Sequence, residues 1–271
     1  LNARPLTLIE AAIAVLTADD APAKSAAAET AVAALASGCP LGDFEKAHAP
    51  RCPSRPKNPA LVPPVEVPRR RLGSVQGRAA LLHAIGHIEF NAIDLAFDMA
   101  VRFAGEIDCL GLDALAFVHD WIGVGGDEAR HFGLIERRLA DFGAVYGDFP
   151  AHNGLWEAAE NTSGNLLARL VVAPLILEAR GLDVTPGMIQ RLQAAGDSES
   201  AAVLEVIYHD EIGHVACGKR WFHAICKAKS IEPAKAFHEL RTEYFTGDLK
   251  PPFNHEAREQ AGMAREFYDP V

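Results

Sequence analysis

Four long stretches of the chain repeat apolar residues every three to four positions, and each interrupts its own apolar stripe with a glutamate. The first stretch, roughly 75–103, carries Leu82, Ile85, Glu89, Ile93 and Ala96 on one side. The second, 112–141, carries Trp121, Val124, Glu128, His131, Phe132 and Ile135. The third, 154–180, carries Leu167, Val171, Leu175 and Glu178, and the fourth, 198–228, carries Leu204, Ile207, Tyr208, Glu211, His214 and Phe222. A period near 3.6 makes these helices, and no alternating strand pattern competes with it. Four such helices predict an all-α four-helix bundle over residues 75–228. A charge on a core-facing stripe is costly unless it is paired or bound to metal, so the four glutamates call for an explanation.

Their spacing supplies one. Residues 127–131 read DEARH and residues 210–214 read DEIGH, so Glu128 and Glu211 are each followed three positions later by a histidine, His131 and His214. Positions i and i+3 share a helix face, which lets a glutamate and a histidine bind one ion together. Glu89 precedes the first motif by 39 residues and Glu178 precedes the second by 33, so the plan repeats as two helical hairpins. A lone Glu-x-x-His is a weak signal, but two copies, each behind an inward glutamate, are a strong one. Four carboxylates balance two divalent cations, and oxygen donors with a few imidazoles suit iron or manganese better than zinc. Glu89, Glu128, His131, Glu178, Glu211 and His214 are the expected ligands. Asp127 and Asp210 each stand four residues before a ligand histidine, placed to accept the second ring N–H and orient the imidazole. Spacing leaves open which aspartate serves which histidine.

The flanks differ from the centre. Residues 1–38 hold two short Ala-rich helices, with Pro22 in the first turn of the second. Residues 39–74 contain eight prolines, too many for helix or central strand, and are expected to wrap the domain as an extended segment, with Leu61, Val62, Val65 and Val67 to bury, a flexible linker being the alternative. Residues 229–271 hold one more helix and a tail with Pro251 and Pro252. The connection between the second and third bundle helices is long enough to serve as a crossover along the bundle. Pro174 is expected to kink the third helix, and Gly181 and Pro186 to end it ahead of a short helix at 186–195.

A net charge of −10 argues against a nucleic-acid or anionic-membrane partner, although Arg69, Arg70 and Arg71 form a small basic run. Five cysteines without a C-x-x-C pair argue against a disulfide framework or a Cys-ligated zinc. No run of 18 apolar residues exists and no basic-then-apolar leader is seen, so a cytoplasmic protein is the expectation.

At the ligand residues the chain resembles the ferritin-like di-iron superfamily, and more closely a bacterial ferritin-like family, domain of unknown function 455. The resemblance is carried by RPKNPALVPPVEVPRRRLGS, HAIGHIEFNAIDLAFD, DEARHF, YGDFPAHNGLWEAAE, LEARGLDVTPGM, DEIGHVACGKRWF and KPPFNHEAR, from about residue 55 to 262. It implies a ferritin-like bundle with the long crossover between its second and third helices and the same six residues as ligands.

Three functions follow as expectations. In the first, two iron ions (or manganese, or one of each) activate O₂ to oxidise or hydroxylate a small organic substrate, drawing electrons from a donor protein. Tyr208, one turn before Glu211, is the candidate catalytic side chain beside them. In the second, the site handles iron as a ferroxidase or scavenges peroxide. In the third, the metal only stabilises a binding protein. His83, His87 and Trp121 are read as packing or hydrogen-bonding residues. The oligomeric state is left open by the sequence.

Overall fold

In the computed structural model, which describes residues 6–67 and 72–269, the chain is all-α, and no strand occurs among the described residues. The arginine run at 69–71 lies outside them. The chain divides into two compact units, Leu1–Trp156 and Glu157–Val271, each with its own helix pair.

The first unit begins with α1 (Leu8–Thr17) and α2 (Ala21–Ala36). Thr7 and Glu10 form a reciprocal capping box at the start of α1, and Asp20 caps α2 ahead of Pro22. The centre of the unit is α3 (Val75–Arg102) packed on α5 (Ala114–Asp141), with the short α4 (Ala104–Cys109) between them. Contacts pair Gly86 with Ile135 and Phe97 with Gly125, so the two helices run antiparallel. At the second of these points a Cβ on Gly125 would sit 2.6 Å from the Phe97 ring, so only glycine permits the approach. The Pro-rich segment wraps this unit. Ser54 N–H donates to Leu16 O, Arg102 donates to Pro50 O, and Leu61 pairs in a single bridge with Ala151 in the segment that follows α5.

Helix α6 (Gly154–Asn161) crosses the unit boundary. The second unit continues with α7 (Leu166–Val172), a π-helical stretch at Ala173–Glu178 and α8 (Ala179–Ala194), which run on without a break. Then come α9 (Ser198–Ala228), α10 (Pro233–Tyr244) and α11 (His255–Gln260). The third bundle helix thus differs from its expected span of 154–180. It is interrupted at Thr162–Asn165, where Asn165 caps α7, and it passes through Gly181 and Pro186 to residue 194. Buried Arg169 braces the interruption by donating to Thr162 Oγ1 and Ala159 O. Pro174 has no N–H to give to the preceding turn, and the helix widens there into the π stretch that ends on Glu178. Contacts between Pro174 and Gly218, and between Gln193 and Glu205, set the α7–α8 run antiparallel to α9.

No helix of the described residues is long and apolar enough to cross a membrane.

Candidate metal centre

In the first unit, α3 supplies Glu89 and α5 supplies Glu128 and His131. All three are buried, with relative exposures of 3%, 1% and 0%. Their ligand atoms lie within 4.8 Å of one another. His131 Nδ1 is 3.3 Å from Glu89 Oε2 and 3.4 Å from Glu128 Oε2. The helical rise explains the convergence: Glu128 and His131 are one turn apart on α5, and the antiparallel pairing brings Glu89 level with them. Burial alone would lower the His131 pKa, but the hydrogen bonds and charges of Glu128 and Glu89 outweigh it and raise it to about 11. Without a cation, the imidazole therefore keeps a proton between two carboxylates.

In the second unit, α9 carries Glu211 and His214 one turn apart, with His214 Nδ1 3.7 Å from Glu211 Oε2 and the His214 ring buried. Glu178 stands partly buried at the end of the π stretch. Among the described residues, no three-residue grouping as tight as that of the first unit closes within the second.

Residues 17–269 match the family described as Protein of unknown function (DUF455). The chain belongs to that family. An uncharacterised protein of Haemophilus influenzae is 42% identical over 214 residues, which cover 79% of this chain and 74% of its own. No solved structure matches.

The other expected site residues of this DUF455 member lie as follows. Asp127 has a half-exposed carboxylate 3.1 Å from Arg130, in a 620 Å³ groove between α2 and α5. Asp210 is partly buried on α9. Tyr208 is partly buried, and its hydroxyl accepts a hydrogen bond of 2.9 Å from Asn254 Nδ2. Trp121 is buried edge-on against Phe117.

His83 and His87 face away from Glu89, as their spacing predicts, and bind the segment after α5. His83 Nε2 accepts from Gly147 N–H. His87 Nε2 lies 3.2 Å from both His152 O and Asn91 Nδ2, and its Nδ1 lies 2.8 Å from the Tyr146 hydroxyl. Burial, with Arg55 nearby, lowers the His87 pKa to about 4 and keeps the ring neutral. Tyr146 was not singled out by the sequence. Its ring packs on Phe90 and Phe132, each the residue after a candidate ligand, so the segment after α5 closes over the back of the Glu89–His131 cluster. No periodic signal marks a tyrosine in a connection; the sequence offers only its place at the head of the YGDFPAHNGLWEAAE stretch.

Proposed function

We propose that Glu89, Glu128 and His131, together with Glu178, Glu211 and His214, hold two metal ions in a ferritin-like arrangement. We take the ions to be iron, with manganese fitting the same donors, and the centre to oxidise or hydroxylate a small organic substrate with O₂. The observation that carries this reading is the convergence of two buried carboxylates and one buried imidazole within 4.8 Å on α3 and α5. Such a group is expensive to bury without a cation. The same ligand plan recurs on the α7–α8 run and α9, which supports a second ion. The donor set, oxygen-rich with imidazole and no thiolate, fits iron or manganese.

When bound, such ions supply open coordination positions and electrons for O₂ chemistry. The protein's own part is to present deprotonated carboxylates, to surrender the His131 proton, and to keep water away from the Glu89–His131 cluster. Phe90, Phe132 and Tyr146 contribute to that exclusion.

Purified protein reloaded anaerobically with Fe(II) should retain about two ions per chain, and Glu128→Ala should retain clearly fewer. Oxygen uptake on exposure to air should depend on the loaded metal. Wild-type protein that binds no Fe(II), or Glu128→Ala that binds as much as wild type, overturns the metal reading. Loaded protein that never consumes O₂, even with reductant, overturns the oxidative one in favour of a static metal.

A further inference from the structure

One residue of the carboxy-terminal segment of the second unit, Asn254, bonds both α8 and α9. Asn254 uses every polar atom it has. Its N–H donates to Asp183 Oδ1 (2.9 Å), and its Oδ1 caps α11 at Ala257 N–H (3.2 Å). Its Nδ2 donates both to Leu182 O (3.1 Å) and to the Tyr208 hydroxyl (2.9 Å). The amide cannot be turned round, because the oxygen would then face a carbonyl. Leu182 O is available for a physical reason. The residue four positions on is Pro186, which has no N–H to donate back, so the helix leaves that carbonyl open and Asn254 fills it.

The two N–H bonds of this amide reach α8 and α9 close to the candidate ligands. Leu182 is four residues after Glu178, and Tyr208 is three before Glu211, each one turn away on the same helix face. The segment that carries Asn254 is itself held firmly. Arg258, 2% exposed, makes a two-point contact with the buried Asp183 carboxylate at 2.9 and 2.7 Å and stacks on Tyr268. Arg180 adds a bond to Lys250 O.

The geometry points to Asn254 as a positioning residue of the metal centre, a strut that fixes the separation of Glu178 and Glu211 by bonding α8 and α9 one turn from each. This rests on the proposed metal reading. Tyr208 belongs to the same device. With its oxygen accepting from Asn254, the phenol is held in one orientation and its O–H stays free to donate.

Mn(II) binding to the full chain, followed by the spectroscopic signal of free Mn(II), tests the strut when paired with the thermal midpoint of the metal-free protein. Asn254→Ser keeps an oxygen to cap α11 but withdraws the amide from Leu182 and Tyr208. Tyr208→Phe removes one hydroxyl and is the milder variant should Asn254→Ser fold poorly. Each should weaken Mn(II) binding about tenfold, the lower end of what loss of a supporting contact costs a metal site. That loss should exceed what the shift in metal-free midpoint accounts for. Both variants binding Mn(II) as wild type does, whatever their midpoints, overturns the strut while leaving the metal centre standing. Wild type that binds no Mn(II) and no Fe(II) removes the centre and the strut together.

Discussion

Lys24→Met isolates the ion pair that joins α2 to the helix carrying Glu89. Lys24 Nζ lies 2.6 Å from Asp94 Oδ1 and donates also to Val15 O, and both charged side chains are fully buried. Removing one member of such a pair costs about 3–5 kcal/mol, because the other charge is left in the core. The size of that loss should depend on pH. Burial raises the Asp94 pKa from 3.8 to about 6, against the lowering pull of Lys24 and Arg55. A carboxyl raised in the folded state contributes stability that is complete below its unfolded pKa and is lost as pH rises through its folded one. In the wild type that loss is over near pH 6. Between about pH 5 and pH 7.5 it amounts to about 1.4 kcal/mol, at about 1.36 kcal/mol per unit. Without Lys24, Asp94 holds its proton to higher pH, and the loss over the same window approaches about 3.4 kcal/mol. Urea unfolding of both proteins at the two pH values should therefore show Lys24→Met to be about 2 kcal/mol worse at pH 7.5 than at pH 5. Adding Asp94→Asn should return much of the stability at pH 7.5. An equal cost at both pH values, or a further loss on adding Asp94→Asn, would refute the reasoning.

Two other outcomes follow from single contacts. Gly218→Ala places a Cβ 2.4 Å from Pro174 Cβ, where the π stretch leading to Glu178 packs on α9. It should destabilise by about 1–3 kcal/mol in thermal or urea unfolding, and a neutral result would mean the helices part without penalty. Metal uptake must strip His131 of the proton that Glu89 and Glu128 hold on it up to about pH 11. Mn(II) affinity should then strengthen by up to about tenfold per pH unit, from this proton, across the neutral range, with proton release detectable by calorimetry in buffers of different ionisation enthalpy. Binding with no proton released would show that His131 stays protonated and is not a ligand.

The long helices and the inward charges were legible because both follow the 3.6-residue period. The fourth helix, 198–228, is found where it was expected, and the ends of α3 and α5 shift by no more than two residues. The third helix departs from its expected span for reasons that period does not encode. Its interruption at Thr162–Asn165 is stabilised by the buried Arg169, ten residues beyond the carbonyl it reaches. Its passage through Pro186 is tolerated because Asn254, 68 residues later, satisfies the carbonyl the proline leaves open. A proline ends a helix on local grounds only until a distant donor repairs it. The Pro-rich segment does wrap its unit, but not by burying its apolar residues, since Leu61 and Val65 stay exposed; it is held by backbone anchors on Leu16, Arg102 and Ala151 that no local pattern shows. At the site, the convergence of Glu89, Glu128 and His131 follows from hairpin spacing. Tyr146 and Asn254, both in connections, carry no such signature.

Helix α3 shows why a protein with a central carboxylate cluster keeps so much chain outside its four long helices. From Glu89 to Val101 every residue of α3 is buried, so this stretch of the helix has no solvent face. One side presents Glu89 to α5. Another carries His87, Asn91, Asp94 and Asp98, and these are met by the segment after α5, by Lys24 on α2 and by Arg102, which grips Asp98 with two nitrogens while bonding Pro50 O. A helix burying a lone glutamate could relieve the cost by rotating it toward water. Here any rotation that freed Glu89 would break the buried Lys24–Asp94 pair and part Arg102, which turns with Asp98 on the same helix, from Pro50 O. The amino-terminal helices and the Pro-rich segment therefore work as a counterweight. Lys24 on α2 and the Pro50 carbonyl hold the far side of α3, so that the near side keeps its carboxylate pointed inward toward α5.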